Sequence, residues 1–312
     1  MQYTGELISI LVAFLWTIAA MASQIGSKHL GVVVMNVWRM SLALVLSCLL
    51  SWVLLGDFFP WHASSQAWIW LLGSGVVGYF FGDWCLFNSY LTIGSRYGQL
   101  FMTLAPMFTA FAAWAMIGQT LSWSALLAMA VTLFGIAISV LNRGGKGRTV
   151  ALKLPPKGVL YGIGAGLGQG LGLVLSKIGL DYYTRDVALA GLSGVDDYLP
   201  FSANSVRCMA GLCCFFAWLV VRKGLPSLRQ SVHDGRGLAA MVVAVLSGPF
   251  IGVGLSLLAV QYVEAGVGAT LMAITPIIIL WPSHKLFGEE ITLKGVLGAV
   301  ISVVGVSLFF LL

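Results

Sequence analysis

An all-α membrane fold is predicted, with ten transmembrane helices arranged as two antiparallel five-helix repeats, and three observations predict it. The first is composition: of 312 residues, 59% are hydrophobic and only 9% are charged, against about 25% charged in an ordinary soluble domain. The second is run length. Apolar stretches near 20 residues recur along the chain, which is what a hydrocarbon core of about 30 Å requires of a helix. Unpaired backbone groups are costly in lipid, so spans are helices or closed barrels, and the absence of period-2 alternation selects helices. The third is an internal duplication. At a fixed offset of 170 residues, Gly78, Gly82, Gly98, Pro106, Gly118 and Gly135 fall on Gly248, Gly252, Gly268, Pro276, Gly288 and Gly305.

The first five spans are expected at about Leu7–Gly26, Val32–Leu55, Trp68–Ile93, Tyr97–Ile117 and Leu121–Leu141. A basic Gly- and Pro-containing linker follows, so the units are residues 1–143, a linker 144–156, and 157–312. The second five spans are expected at Gly158–Leu180, Ala203–Val221, Leu238–Tyr262, Val267–His284 and Leu293–Leu312, with a longer loop over Asp181–Phe201. The early part of the repeat shares looser anchors: Ser27-Lys28 answers Ser176-Lys177, and Asn36-Val-Trp-Arg39 answers Asn204-Ser-Val-Arg207. Five spans per repeat is an odd number. The second copy then enters the bilayer from the opposite side, as in inverted-repeat transporters with a site between the halves.

The net charge is +6, and its distribution reads as topology control rather than as a footprint for nucleic acid. Lys28, Arg96, Arg143, Lys146, Arg148, Lys153, Lys157, Arg222, Lys223, Arg229, Arg236, Lys285 and Lys294 fall on one side of the predicted spans. Lys177 and Arg185 fall on the other, together with Asp181, Asp186, Asp196 and Asp197. The positive-inside rule puts the first set in the cytoplasm and both termini outside; the membrane expected is a bacterial inner (plasma) membrane. The five cysteines lie in apolar runs without metal-ligand or disulfide spacing. The N-terminus has no basic region before its apolar run, so the first helix is expected to be retained.

The duplication, the Arg near the start of the second helix of each half, and the phrase Pro276 … Gly288-Glu-Glu-Ile-Thr … Gly295 … Gly298 … Gly305-Val resemble the drug/metabolite transporter superfamily, in its ten-helix EamA-like type. The first copy, Pro106 … Gly118-Gln-Thr-Leu-Ser … Gly135-Ile, has lost the acidic pair. The resemblance covers essentially the whole chain. It implies a secondary transporter that exports small polar metabolites, amino acids or related compounds, by alternating access. Other branches of the superfamily exchange nucleotide sugars or sugar phosphates. Many relatives keep both termini in the cytoplasm, in conflict with the charge distribution.

Asp83 is the sharpest candidate for chemistry. An acid within a span is costly and is normally paired, water-facing or functional, so its readings are proton coupling, a substrate-amine site, or a fixed partner for Arg39 or Asn88. Val253 stands at the corresponding place in the second half. Arg39 and Arg207, each three residues after Asn36 and Asn204 on one helix face, either clamp a substrate carboxylate or snorkel to headgroups. The glycine-alternating stretch Gly162–Gly172 lacks the Lys-Ser/Thr of a phosphate loop and reads as a close-packing face, with Gln169 a candidate ligand. Tyr79, Trp84 and Trp16 are candidates for lining a pocket. Pro106 and Pro276 each remove a backbone donor from a helix and are candidate kinks. Glu289 and Glu290 suit the N-terminus of the last helix.

No catalytic residue, metal ligand or cofactor motif is expected. One deep acid and no His cluster argue against a membrane-embedded enzyme, and no Walker motif points to ATP. A passive channel is the remaining alternative. The partners expected are a small-molecule substrate, protons as a coupling ion, the lipid bilayer and a second copy of the chain.

Overall fold

The apolar runs become helices in the computed structural model, which describes residues 3–118, 122–143, 150–152, 154–191, 198–262, 268 and 271–311. Helix α1 spans Thr4–Leu30 and α2 spans Val32–Leu55. Gly31 between them has φ 77°, and Gly56, which caps α2, has φ 76°; glycine takes this left-handed region at no steric cost. Ser64 caps α3 (Ser65–Ser74) by accepting from the Ala67 amide. The helix then widens into a π segment, Gly75–Gly82, before α4, Asp83–Met102. Gly94 (φ 86°, ψ 158°) breaks α4, where the sequence places the boundary between its third and fourth spans. Helices α5 (Ala105–Ile117) and α6 (Trp123–Val140) complete the first unit.

A short antiparallel hairpin joins the units, β1 (Leu141–Arg143) pairing with β2 (Val150–Leu152). The rest of the basic linker, residues 144–149 and 153, lies outside the described residues. Helix α7 covers Pro156–Leu189, nine residues beyond the expected end at Leu180, so the expected loop over Asp181–Phe201 begins as helix. Two interactions explain the extension. Tyr183 and Val187 bury against Leu71, Leu199 and Val206, and Lys177 meets Asp181 one turn on at 3.4 Å. Residues 192–197 lie outside the described residues.

Helices α8 (Leu199–Val221) and α9 (Leu225–Ser231) follow, the second unannounced by any apolar run. Asp234 caps α10 (Gly235–Val245) by accepting from the Gly237 amide at 2.9 Å. A second π segment, Leu246–Phe250, leads into α11, Ile251–Tyr262. Helices α12 (Thr275–Ile278), α13 (Leu280–Phe287) and α14 (Leu293–Leu311) end the chain. Among the described residues seven helical stretches are long and apolar enough to cross a membrane, and Ala105–Ile117 and Leu293–Leu308 are shorter apolar helices. The protein is a helical, multi-pass membrane fold.

The 170-residue period reappears in the backbone. Gly118 and Gly288 end their helices with φ 69° and 68°. Both units carry a π segment at matching positions. The turn at Thr103 and Leu104 before Pro106 is repeated at Ala273 and Ile274 before Pro276. The first helix of each unit packs across onto the other: α1 against α10 and α11, α7 against α3, α4 and α5. Matching helices pair with each other, α2 with α8 and α6 with α14. Large side chains such as Met35, Met40, Tyr90 and Phe215 fill the core between α2, α4 and α8. Leu7, Val53, Leu160 and Trp123 stay exposed on the outside, as lipid-facing side chains do.

The α6–α14 seam is made by small residues. Gly135 lies against Ser302 and Gly305 against Thr132, the same pair with the two units exchanged. Ser302 Oγ donates to the Thr132 carbonyl at 3.4 Å, and Ser139 Oγ to the Gly295 carbonyl at 3.3 Å. Small residues let helix backbones approach closely where lipid offers no hydrophobic drive.

Candidate functional site

The π segment and the glycines around it bring four helices together at Asp83. Gly78 and Gly82 face Gly172 and Gly168 of α7 backbone to backbone, so α7 passes close enough for Gln169 to reach the acid. Gln169 Nε2 donates to Asp83 Oδ1 at 3.0 Å and more distantly, at 3.4 Å, to the Gly78 carbonyl. Arg39 of α2 forms a buried ion pair with Asp83 through Nη2. Its Nε donates to Asn36 Oδ1 at 3.2 Å, and the guanidinium sits 4.9 Å from the centre of the Phe87 ring. Asn88 donates instead to the Trp84 carbonyl one turn back. Of the readings open for Asp83, the pair with Arg39 is the one this conformation contains.

The matching motif in α8 behaves differently. Asn204 turns away from Arg207: it accepts from the Tyr79 hydroxyl at 2.5 Å and donates to Ser47 Oγ at 3.1 Å. Arg207 stacks over the Tyr79 ring at 4.5 Å. Its Nε is buried without a hydrogen bond, and among the described residues no carboxylate lies within ion-pair range. The cluster therefore holds Arg39, Arg207 and Asp83, two cations for one anion.

A second feature lies apart from this cluster. A cavity of about 300 Å³ is lined by Trp16, Gln99, Met102, Thr103, Pro106, Met272, Ala273, Thr275, Pro276 and Val306. It sits where the two helical breaks before the prolines face each other. Pro106 and Pro276 occupy the first turn of α5 and α12, where a missing N–H costs nothing; each follows a two-residue turn, so the span is interrupted rather than gently bent. Trp16 lines this cavity, whereas Tyr79 and Trp84 do not. Trp84 packs edge-on against Tyr161 at 5.4 Å and lies 6.1 Å from Trp218. Cavity and cluster are linked through Gln99, which donates to the Tyr90 hydroxyl at 2.6 Å; Tyr90 stacks on Phe87, the ring beneath Arg39.

Sequence reasoning passed over a third group. Arg96, 3% exposed, donates to the Glu290 carbonyl and lies 4.7 Å from the centre of the Tyr97 ring. Glu289 pushes its carboxylate against Gly94, beside Arg96 and Lys28, and neither oxygen has a well-formed hydrogen bond. Burial raises this carboxyl above the ordinary glutamate range, and the Arg96 charge opposes the shift. The signal was present in the sequence: a glycine (Gly94) at a span boundary beside Arg96, and an acidic pair found in one copy only. Among the described residues no group of three or more His, Cys, Asp or Glu side chains could hold a metal ion.

Comparison with known proteins agrees with this architecture. The family model described as EamA-like transporter family matches residues 3–141 and again 156–311. A solved structure described only as a protein crystal structure is similar over 100% of this chain and 98% of its own, with TM-score 0.57 and 13% sequence identity, which speaks to the fold alone. No curated protein matches the sequence. With both halves of the chain matched by one family model and apolar helices throughout, the chain belongs to the EamA-like transporter family, membrane transporters of the drug/metabolite transporter superfamily.

Proposed function

We propose that the protein is a secondary transporter that exports small metabolites, amino acids or related compounds, by alternating access between two antiparallel five-helix halves. The observation that carries this reading is the composition of the cavity wall. Met102 and Met272, Thr103 and Ala273, and Pro106 and Pro276 are pairs 170 residues apart, and all six line the same cavity. A site assembled from matching positions of two repeats can be opened to either side by rocking one repeat against the other. The exchanged contacts Gly135–Ser302 and Gly305–Thr132 support an approximate two-fold between the halves, since a two-fold interface repeats each contact with its partners swapped. Helical breaks beside the cavity supply places where such motion bends the chain.

The cavity volume of about 300 Å³ lies at the low end for small-molecule sites, room for a solute of amino-acid size. Its wall mixes Met, Pro and Ala with Gln99, Thr103 and Thr275, the pattern of an apolar pocket with a few orienting polar groups. Asp83 is the proposed coupling group. Its ion pair with Arg39 opens when a proton neutralises the carboxylate, so protonation and helix movement are coupled.

The test is efflux from proteoliposomes preloaded with a mixed pool of amino acids, sugars and nucleotides, read by mass spectrometry with and without a pH gradient. Selective, saturable loss of amino acids, with counterflow, is expected, and Thr103→Trp, which fills the cavity, abolishes it. Unsaturable leakage of all small solutes marks a pore instead, and loss of the nucleotide class alone overturns the substrate assignment.

A further inference from the structure

The asymmetry between the two arginines says what the second one is for. Arg39 and Arg207 occupy matching places, yet Arg39 is fully engaged by Asn36, Asp83 and the Phe87 ring. Arg207 has a ring beneath it, a buried Nε with no acceptor, and no carboxylate in range among the described residues. Asp83 is spent on Arg39, and the position equivalent to Asp83 in the second half is Val253. A guanidinium within a span that lacks a counter-charge is an incomplete ion pair.

What surrounds it is built to take an anion. The Tyr79 ring lies under the guanidinium, 4.5 Å from its central carbon, and the fork of N–H donors of an arginine matches the two oxygens of a carboxylate or phosphate. The Tyr79 ring is itself held by its hydroxyl bond to Asn204, which is tied in turn to Ser47. Arg207, Tyr79 and Asn204 are each partly accessible rather than sealed. Ser47 and Tyr79 belong to the first unit, Asn204 and Arg207 to the second, so an anion here touches both.

We infer that Arg207, on its Tyr79–Asn204 platform, is a binding subsite for a single oxyanion, a carboxylate or a phosphate group, carried by a soluble solute or by a lipid headgroup. The charge count agrees: with two cations and one carboxylate in the cluster, one monoanion brings it to neutrality. For a soluble solute this rests on the transport reading and names one group its substrates carry. Because the subsite lies between the units, its occupant bears on their relative movement.

The experiment is thermal unfolding of the purified protein in dodecyl maltoside, titrated with sodium acetate or inorganic phosphate against sodium chloride at matched ionic strength. In a parallel arm phosphatidylglycerol is compared with phosphatidylcholine. Saturable stabilisation by acetate or phosphate over chloride is expected, abolished in Arg207→Gln and weakened in Arg207→Lys. Asn204→Asp, nearly isosteric, places a fixed anion on the platform at the Tyr79 hydroxyl and weakens the response while leaving a cooperative melt. A response confined to phosphatidylglycerol and lost in Arg207→Gln assigns the oxyanion to a lipid. An anion response unchanged in Arg207→Gln, or no saturable response in any arm, overturns the subsite. Anion binding without flux in proteoliposomes rejects the transport reading and leaves the subsite standing.

Discussion

Gln169 donates to one oxygen of Asp83 at 3.0 Å while Arg39 holds the other, so a single carboxylate ties α2 and α7 to the start of α4. Asp83→Asn removes the charge and strands a buried guanidinium, a loss of roughly 3–5 kcal/mol by the general behaviour of broken buried pairs. A drop in the detergent melting midpoint is expected, with recovery in the Arg39→Met/Asp83→Leu double variant. If the pair also couples protons, Asp83→Asn that still folds retains exchange but loses pH-gradient-driven flux. Undiminished gradient-driven flux removes Asp83 from the coupling role.

The glycine face of α7 makes a steric prediction. A Cβ at Gly172 would sit 2.7 Å from Gly78 Cα, and one at Gly168 2.5 Å from Gly82 Cα, both against backbone that cannot rotate away. Gly172→Ala is therefore destabilising by about 1–3 kcal/mol, the usual range for overpacking. Gly73, with open space around its Cβ position, is the control: Gly73→Ala is neutral or stabilising, since alanine is the better helix former. Equal melting midpoints for the two variants would contradict the close approach of α7.

Glu289 carries a pH dependence. Its carboxyl lies above the ordinary range in the folded state because burial disfavours the charge. The folded protein then holds this proton at pH values where the unfolded chain has released it, so stability falls as pH rises through the carboxyl range. Glu289→Gln is expected to flatten the acid-to-neutral slope of the melting midpoint and to raise the midpoint at neutral pH. A lower midpoint at neutral pH would mean that attraction to Arg96 and Lys28 outweighs the desolvation.

Orientation has a direct readout. The positive-inside rule predicts α9 in the cytoplasm and the end of α7 outside. In a cysteine-free background Leu189→Cys, at an 87% exposed position, reacts with an impermeant maleimide in intact cells. Ser227→Cys reacts only after permeabilisation. The reverse pattern puts both termini in the cytoplasm, the arrangement the superfamily resemblance implies.

Much of the architecture was legible because it is written in glycine and proline, whose backbone effects are local. Gly94, Gly118 and Gly288 mark breaks in the chain, and the turns before Pro106 and Pro276 stand at the repeated prolines. The nine extra residues of α7 were not legible, because Tyr183 and Val187 find their partners over a hundred residues away in sequence as well as nearby. The π segments left no periodicity to read: an added residue in one turn shifts the helical phase without changing composition. Asp83 and Arg39 stood out as charges in lipid, and their pairing was one of the stated readings. The cavity wall was found only at Trp16 and the two prolines, since Met102, Thr103, Met272 and Thr275 are ordinary residues in a membrane helix and only the fold gathers them.

The seam in which Gly135 meets Ser302 and Gly305 meets Thr132 matches itself when the units are exchanged, and such a seam cannot tell one half from the other. It holds the halves together without naming them. Any difference between inward and outward has to reside where the repeat is broken, and Asp83 against Val253, and Glu289 and Glu290 against Gln119 and Thr120, are among those places. A chain with two interchangeable halves would be indifferent to direction. In this one the halves differ, in those acids and in the Lys and Arg of their loops, and a sense of direction has somewhere to be written.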